Sequence, residues 1–191
     1  TISIKRKSGG LCSGWMHSCD PGQTFEVAGI GGSFGLHFAD AALAQTEGRI
    51  VMLAAGVGIT PFVAMLRDLF SKTVTSPKPD GTPFNIHLIY SEKSAEEFAF
   101  FEELQRYCKA GTAPGGHRLH STFTITSLQA SPTTWGGLTG RITPAMVQQV
   151  VPDFVSRTVF MCGPQAFMDV MRVGLVEAGV PDDHILEENF A

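Results

Sequence analysis

Residues Arg49 to Phe70, RIVMLAAGVGITPFVAMLRDLF, change hydrophobic period halfway along and carry their glycines at the change. Ile50 to Ala55 is a short, continuous apolar run, which suits a strand buried on both faces of a parallel sheet. Gly56 and Gly58 permit a positive φ or a close backbone approach. Thr60 is placed to cap a helix, and Pro61 fits its first position, where a missing N–H costs nothing. Phe62, Met65, Leu66 and Leu69 then fall at i, i+3, i+4 and i+7, a single apolar stripe for a helix lying on a sheet. A buried strand, a glycine turn and a helix N-terminus together present backbone N–H groups to an anion, the arrangement that holds a nucleotide pyrophosphate.

The same alternation recurs downstream. Phe84–Tyr90, His120–Thr126 and Thr158–Met161 read as further strands. Helices are expected from Ser94, which with Glu97 forms a capping-box pattern, from Thr143-Pro144, and from about Gln165 to Ala178, stopped by Gly179 and Pro181. Strands alternating with helices predict parallel βαβ units, whose ligands sit at the carboxyl ends of the strands. Gly56–Pro61 and Cys162-Gly163-Pro164 both lie at such ends.

Before this half, Thr1–Arg6 alternates like a half-buried strand and Thr24–Val27 reads as a second. Between them Gly9, Gly10 and Ser13 offer N–H groups and a hydroxyl, while Leu11, Trp15 and Met16 supply apolar anchors for a short helix. The glycine cluster Gly29–Phe34 is expected to be a loop closing a β-barrel, and the chain turns small and polar from Asp40 to Gly48, placing a boundary near Thr46.

Charge and cysteine usage narrow the function. The net charge of −4, without a long basic run, argues against nucleic acid and anionic membrane surfaces. No stretch approaches the roughly 18 to 20 apolar residues of a membrane span. The four cysteines, Cys12, Cys19, Cys108 and Cys162, form no CxxC, zinc or four-cysteine iron–sulfur pattern, and the six histidines are scattered, so no metal site is expected. Sparse cysteines favour a reducing compartment, cytoplasmic or an organellar matrix.

G-V-G-I-T-P departs from the dinucleotide fingerprint G-x-G-x-x-G at Pro61. Together with Cys162-Gly163-Pro164 about 100 residues later, GGLCS upstream and the finish from Gly179 to Phe190, it resembles the ferredoxin–NADP reductase superfamily over nearly the whole chain. Val151–Val170 is especially similar to the NADH-dependent reductase of hybrid-cluster protein and to oxygenase reductases.

The resemblance implies an α/β fold: a five-stranded parallel sheet flanked by helices as an NAD(P)-binding domain, residues 47–191, with residues 1–46 the C-terminal remnant of an FAD-binding β-barrel. It implies that Gly56, Gly58, Ile59, Thr60 and Pro61 bind the nicotinamide nucleotide's pyrophosphate and ribose. Cys162 would lie beside the nicotinamide, and Gly163 and Pro164 would keep that pocket's backbone close. Gly10, Leu11, Cys12 and Ser13 would cradle the FAD pyrophosphate, while Glu188 and Phe190 match an acid and an aromatic beside the flavin.

The implied activity is hydride transfer from NAD(P)H to FAD, with electrons passed onward to an iron–sulfur or haem acceptor. The family's R-x-Y-[ST] flavin motif is absent, so the chain reads as a fragment, and a [2Fe-2S] centre is expected in a partner or missing domain. Ser127 is followed by Leu128, where NADP-using members carry arginine; this favours NADH over NADPH, with Lys93 and Arg118 as nearby cations. The alternatives are a catalytically silent nucleotide-binding or interaction module of the same fold, and the reductase part of a flavohaemoglobin-like fusion.

Overall fold

A computed structural model describes residues 2–29, 31–71, 81–127 and 135–189. The chain divides into two compact units, residues 1–33 and 34–191.

The larger unit is built on a parallel sheet of six strands: β1 Arg49–Ala55, β2 Asn85–Glu92, β3 Arg118–Ile125, β4 Leu138–Thr139, β5 Thr158–Cys162 and β6 Ile185–Glu188. Their order is β4-β3-β2-β1-β5-β6. The resemblance implies five strands, of which the chain pattern marks four, β1, β2, β3 and β5; β6, four residues, and β4, two residues paired to Thr124 and Ile125, are too short to show a period of their own.

The interiors of β1 and β5 are apolar throughout because both faces are covered. Ile50, Met52 and Ala54 of β1 face one core, together with Phe62, Val63, Leu66 and Leu69 of helix α3 (Ile59–Phe70). Val51 and Leu53 face the other, against Val147 of α5 (Pro144–Val150) and Met168, Met171 and Leu175 of α6 (Gln165–Glu177). Continuous apolarity in β1 is thus two alternating sets, one per layer.

The compact division falls between Ser33 and Phe34, upstream of Thr46. Helix α2 (Asp40–Gln45) belongs with the sheet, since Leu36, Ala39 and Leu43 are buried in the α3-side core. Thr46 is itself buried, its hydroxyl 2.8 Å from that of Thr158 at the start of β5.

Local signals held unevenly. Thr143 caps α5, its hydroxyl accepting the Met146 N–H at 3.2 Å, with Pro144 at the first helical position. Gly179, φ +102°, follows α6 in the left-handed conformation that ends helices. Thr60 is not a cap: α3 starts one residue earlier, and the Thr60 hydroxyl donates to Val57 O at 3.0 Å. The helix expected from Ser94 is split, because a 3-10 turn at Ala95–Glu97 ends before Phe100 takes φ +59° and α4 (Phe101–Lys109) begins. The break sends Phe98 onto Tyr90 and Phe123 at ring distances of 5.0 and 5.2 Å.

The smaller unit does not show the expected flavin barrel. Among its described residues, no strand forms at Ile2–Arg6 or Thr24–Val27, and the one helix is α1, Leu11–His17. Alternation can be realised as a strand only with a neighbour to pair with and a face to bury. Here Ile2, Phe25 and Val27 are exposed, and Leu11, expected as an anchor, is 92% exposed. His17 instead ties α1 to Ile4 O at 2.9 Å, and Trp15 packs edge-on against Phe25.

Candidate functional site

The strand order sets where a ligand can sit. From β1 the chain runs outward through β2 and β3 on one side, then returns to build β5 and β6 on the other, so the sheet's switch point lies between the carboxyl ends of β1 and β5. Both glycine turns close on that point: β1 ends at Ala55 and runs through Gly56–Gly58 into α3, and β5 ends at Cys162 and runs through Gly163-Pro164 into α6.

The glycines do different work. Gly56 has φ +60°, and a Cβ added there would meet no atom within 4 Å, so it serves backbone conformation beside open space. Gly58 is buried with φ −61°, and an added Cβ would lie 2.1 Å from Cys162 O. Ile59 is 1% exposed, so only its backbone can meet a ligand, and its N–H is already donated to Gly56 O. Pro61, which has no N–H, lies in the first turn of α3, which starts without a side-chain cap.

A cleft of about 400 Å³ opens beside Gly56 on the α5/α6 side of the sheet. It is lined by Ala55, Gly56 and Pro164 from the two turns, by Ser91, Glu92 and Lys93 where β2 ends, and by Thr126 beyond β3. Arg141, Ile142 and Thr143 come from the approach to α5, and Ala166, Phe167 and Val170 from α6. Apolar walls with a few hydroxyls and cations are the composition of a small-molecule site.

Several of these residues escaped sequence reasoning. Ser91, Thr126 and Arg141 lie far apart in the chain and meet only because β2, β3 and the β4–α5 connection converge. Arg118 was expected near this end but starts β3, so the length of that strand separates it from the cleft, about 25 Å at the usual rise. Arg141 is the cation found there instead, with Lys93.

Cys162 and Glu188 are register partners on neighbouring parallel strands, which puts both side chains on the α3 side of the switch point. Cys162 is fully buried. Burial, with the Glu188 carboxylate adding to it, pushes its thiol up to about 12, so the group is a neutral thiol and not a thiolate nucleophile. Its side chain is packed in the α3-side core, so, as at Ile59, it is the backbone at the end of β5 that can meet a ligand.

Of the residues assigned to a flavin phosphate, Gly10 caps α1 and Ser13 accepts the Lys7 N–H on its hydroxyl at 3.1 Å. Gly10 and Leu11, with Arg6, Gly9 and Trp15, line a second cleft of about 600 Å³; Ser13 and the exposed Cys12 are not part of its lining. Phe190 lies outside the described residues.

A switch-point crevice with an uncapped helix end, a positive-φ glycine and a cation-flanked cleft defines a nucleotide-binding α/β domain. The chain belongs to the oxidoreductase NAD-binding domain family, whose profile matches residues 52–172. It is 26% identical over its whole length to the glycine betaine monooxygenase reductase subunit of Chromohalobacter salexigens, covering 47% of that protein. It is 25% identical over 94% of its length to the NADH oxidoreductase HCR of Escherichia coli, again covering 47%. Among solved structures it superposes over its full length on the CS-b5R domains of human Ncb5or in the NAD+ form, with a TM-score of 0.76, 20% identity and 48% of that chain covered. The chain spans about half the length of the curated relatives it matches. Among the described residues no helix is long and apolar enough to cross a membrane.

Proposed function

We propose that this chain carries the nicotinamide-nucleotide part of a flavin-dependent reductase, which takes a hydride from NAD(P)H onto FAD and passes electrons to an iron–sulfur or haem acceptor. The observation that carries this reading is the pairing, at one switch point, of an open glycine turn with a buried Cys162 beside a half-buried Glu188. The Gly56 backbone, in the open turn before α3, suits the pyrophosphate. Lys93, Arg141 and the hydroxyls of Ser91, Thr126 and Thr143 suit the adenosine end in the adjoining cleft. The nicotinamide then lies at the end of β5, over Cys162, whose buried neutral thiol adds no charge beside the ring.

Gly10, Leu11, Cys12 and Ser13 would hold the flavin pyrophosphate through the backbone at the start of α1. FAD, when bound, supplies a two-electron acceptor able to release electrons one at a time. The protein's part is to bind, orient and exclude water; no side chain is required as an acid or base for the hydride step.

NADH is the proposed donor, on the ground that Ser127 is followed by Leu128, which lies outside the described residues, where an arginine would pair with a 2′-phosphate. The relative from Escherichia coli is named for NADH. Lys93 and Arg141 are then read as partners of the adenosine ribose. The proposed partner is a redox protein or domain carrying the iron–sulfur or haem centre, in the cytoplasm or an organellar matrix.

The test is anaerobic addition of NADH, and separately NADPH, to the full-length protein while flavin absorbance is followed. Bleaching that is faster with NADH supports the reading. A flavin that keeps its absorbance with both nucleotides would reduce the chain to a nucleotide-binding module.

A further inference from the structure

The two turns at the switch point interlock through their glycines. At Gly58 an added Cβ would fall 2.1 Å from the carbonyl oxygen of Cys162, 2.4 Å from its carbonyl carbon and 2.8 Å from Gly163 N. All three are backbone atoms, so no rotamer can relieve the overlap. Gly58 sits at φ −61° and ψ −5°, a conformation open to any residue, so the contact and not the dihedral requires glycine there. Gly163 is tight as well, against the end of β1 and against α6: a Cβ there would lie 2.8 Å from Ala55 Cβ and 2.9 Å from Phe167 Cδ1. Gly56, two residues earlier, meets nothing within 4 Å. One G-x-G pair therefore contains an open glycine and a clasped one.

We propose that Gly58 is a positioning residue: it does not contact the phosphates but lets the β1–α3 turn seat against the Cys162-Gly163 backbone, so that the turn gripping the pyrophosphate also fixes where Cys162 meets the nicotinamide. This rests on the reading above that the nicotinamide lies at Cys162. A methyl at Gly58 pushes the Cys162-Gly163 backbone away, so the displacement is delivered to the end of the site where the reacting ring lies, while the open turn at Gly56 keeps its grip on the rest of the nucleotide. Holding a donor ring in place is where such a displacement is felt most, since a shift of about 1 Å in a reacting group can cost about 100-fold in rate.

The experiment compares full-length, flavin-loaded wild type with Gly58→Ala, Gly163→Ala and Ala55→Gly/Gly163→Ala. ADP-ribose affinity is measured by calorimetry and hydride transfer by anaerobic stopped flow at saturating NADH. A third readout, maleimide labelling of Cys162, uses a background in which Cys12, Cys19 and Cys108 are serine. Gly58→Ala is expected to retain ADP-ribose affinity, to slow hydride transfer by about 100-fold and to make the Cys162 thiol reactive. Gly163→Ala is expected to show the same pattern, and Ala55→Gly to restore it towards wild type, because the overlap it removes is with a side chain.

Equal weakening of ADP-ribose and NAD+ by Gly58→Ala, with hydride transfer in the bound complex unchanged, would place Gly58 at the phosphates and overturn the proposal. Should Gly58→Ala fail to fold, the Gly163 pair decides: no recovery of rate and thiol protection on adding Ala55→Gly overturns it equally. Wild type that binds neither ADP-ribose nor NAD+ refutes the underlying assignment of the site, which is a separate result.

Discussion

Replacing Gly56 tests whether the open side of the glycine turn is where the nucleotide approaches. Its φ of +60° lies in the left-handed region, and an added Cβ meets no atom within 4 Å, so the folded protein should register backbone strain and no collision. For Ala that strain is about 1–2 kcal/mol, with Asn below this because its side chain tolerates the left-handed region. Val, stiff at χ1, should approach about 3 kcal/mol. Denaturant unfolding is therefore expected to rank the variants Asn, Ala, Val from most to least stable.

Nucleotide affinity should rank differently. All three side chains project into the space left at the switch point, so even Asn should weaken NAD+ binding by about tenfold or more, equivalent to about 1.4 kcal/mol. Calorimetry on folded protein reads this directly. An Asn variant that binds NAD+ as tightly as wild type would show that the pyrophosphate does not approach Gly56. An Ala variant destabilised well beyond strain would show that the turn is packed where we describe it as open.

Three further outcomes follow from particular residues. Cys162 has a thiol raised to about 12 in the fold, so its contribution to stability is complete below its unfolded pKa, about 8.5, and is lost as pH rises from there towards 12; unfolding measured against pH should fall across that interval, and less so in Cys162→Ser. His87 is held at about 4 by burial, then by its neighbours His120 and Arg157, so it favours the fold above about pH 6.5 and withdraws that support as pH falls to 4; His87→Gln should flatten this limb in acid unfolding curves, and an NMR titration of the imidazole midpoint near 6.5 would refute the assignment. Leu43, 1% exposed in the α3-side core, should cost about 2–5 kcal/mol as Leu43→Ala; a variant as stable as wild type would return α2 to the N-terminal unit.

Much of the nucleotide domain was legible because local patterns and tertiary packing agree there. The run Ile50–Ala55, the stripe Phe62–Leu69 and the Thr143-Pro144 start each state a period or cap that the sheet then uses. Disagreements arise where a pattern had competitors. Ser94 and Glu97 promised a capped helix, but the aromatic packing of Phe98 against Tyr90 and Phe123 coincides with a break at Phe100. Alternation in Thr1–Arg6 and Thr24–Val27 promised strands, but a strand needs a partner edge, and none forms among the described residues of that unit.

By itself the sequence determined the parallel α/β class, the two glycine turns and their place at strand ends, because periodicity and glycine placement are local properties of the chain. Only the tertiary structure decided the sheet order, which puts Gly58 against the Cys162 carbonyl, pairs Cys162 with Glu188, and gathers Lys93, Thr126 and Arg141 around one cleft. It also separated the roles of Gly56 and Gly58, identical as letters, since a glycine is required at one for its positive φ and at the other for the absence of a Cβ. Strand order, register and contact across about 100 residues of chain come from burying two layers of side chains at once, a condition no short window of sequence expresses.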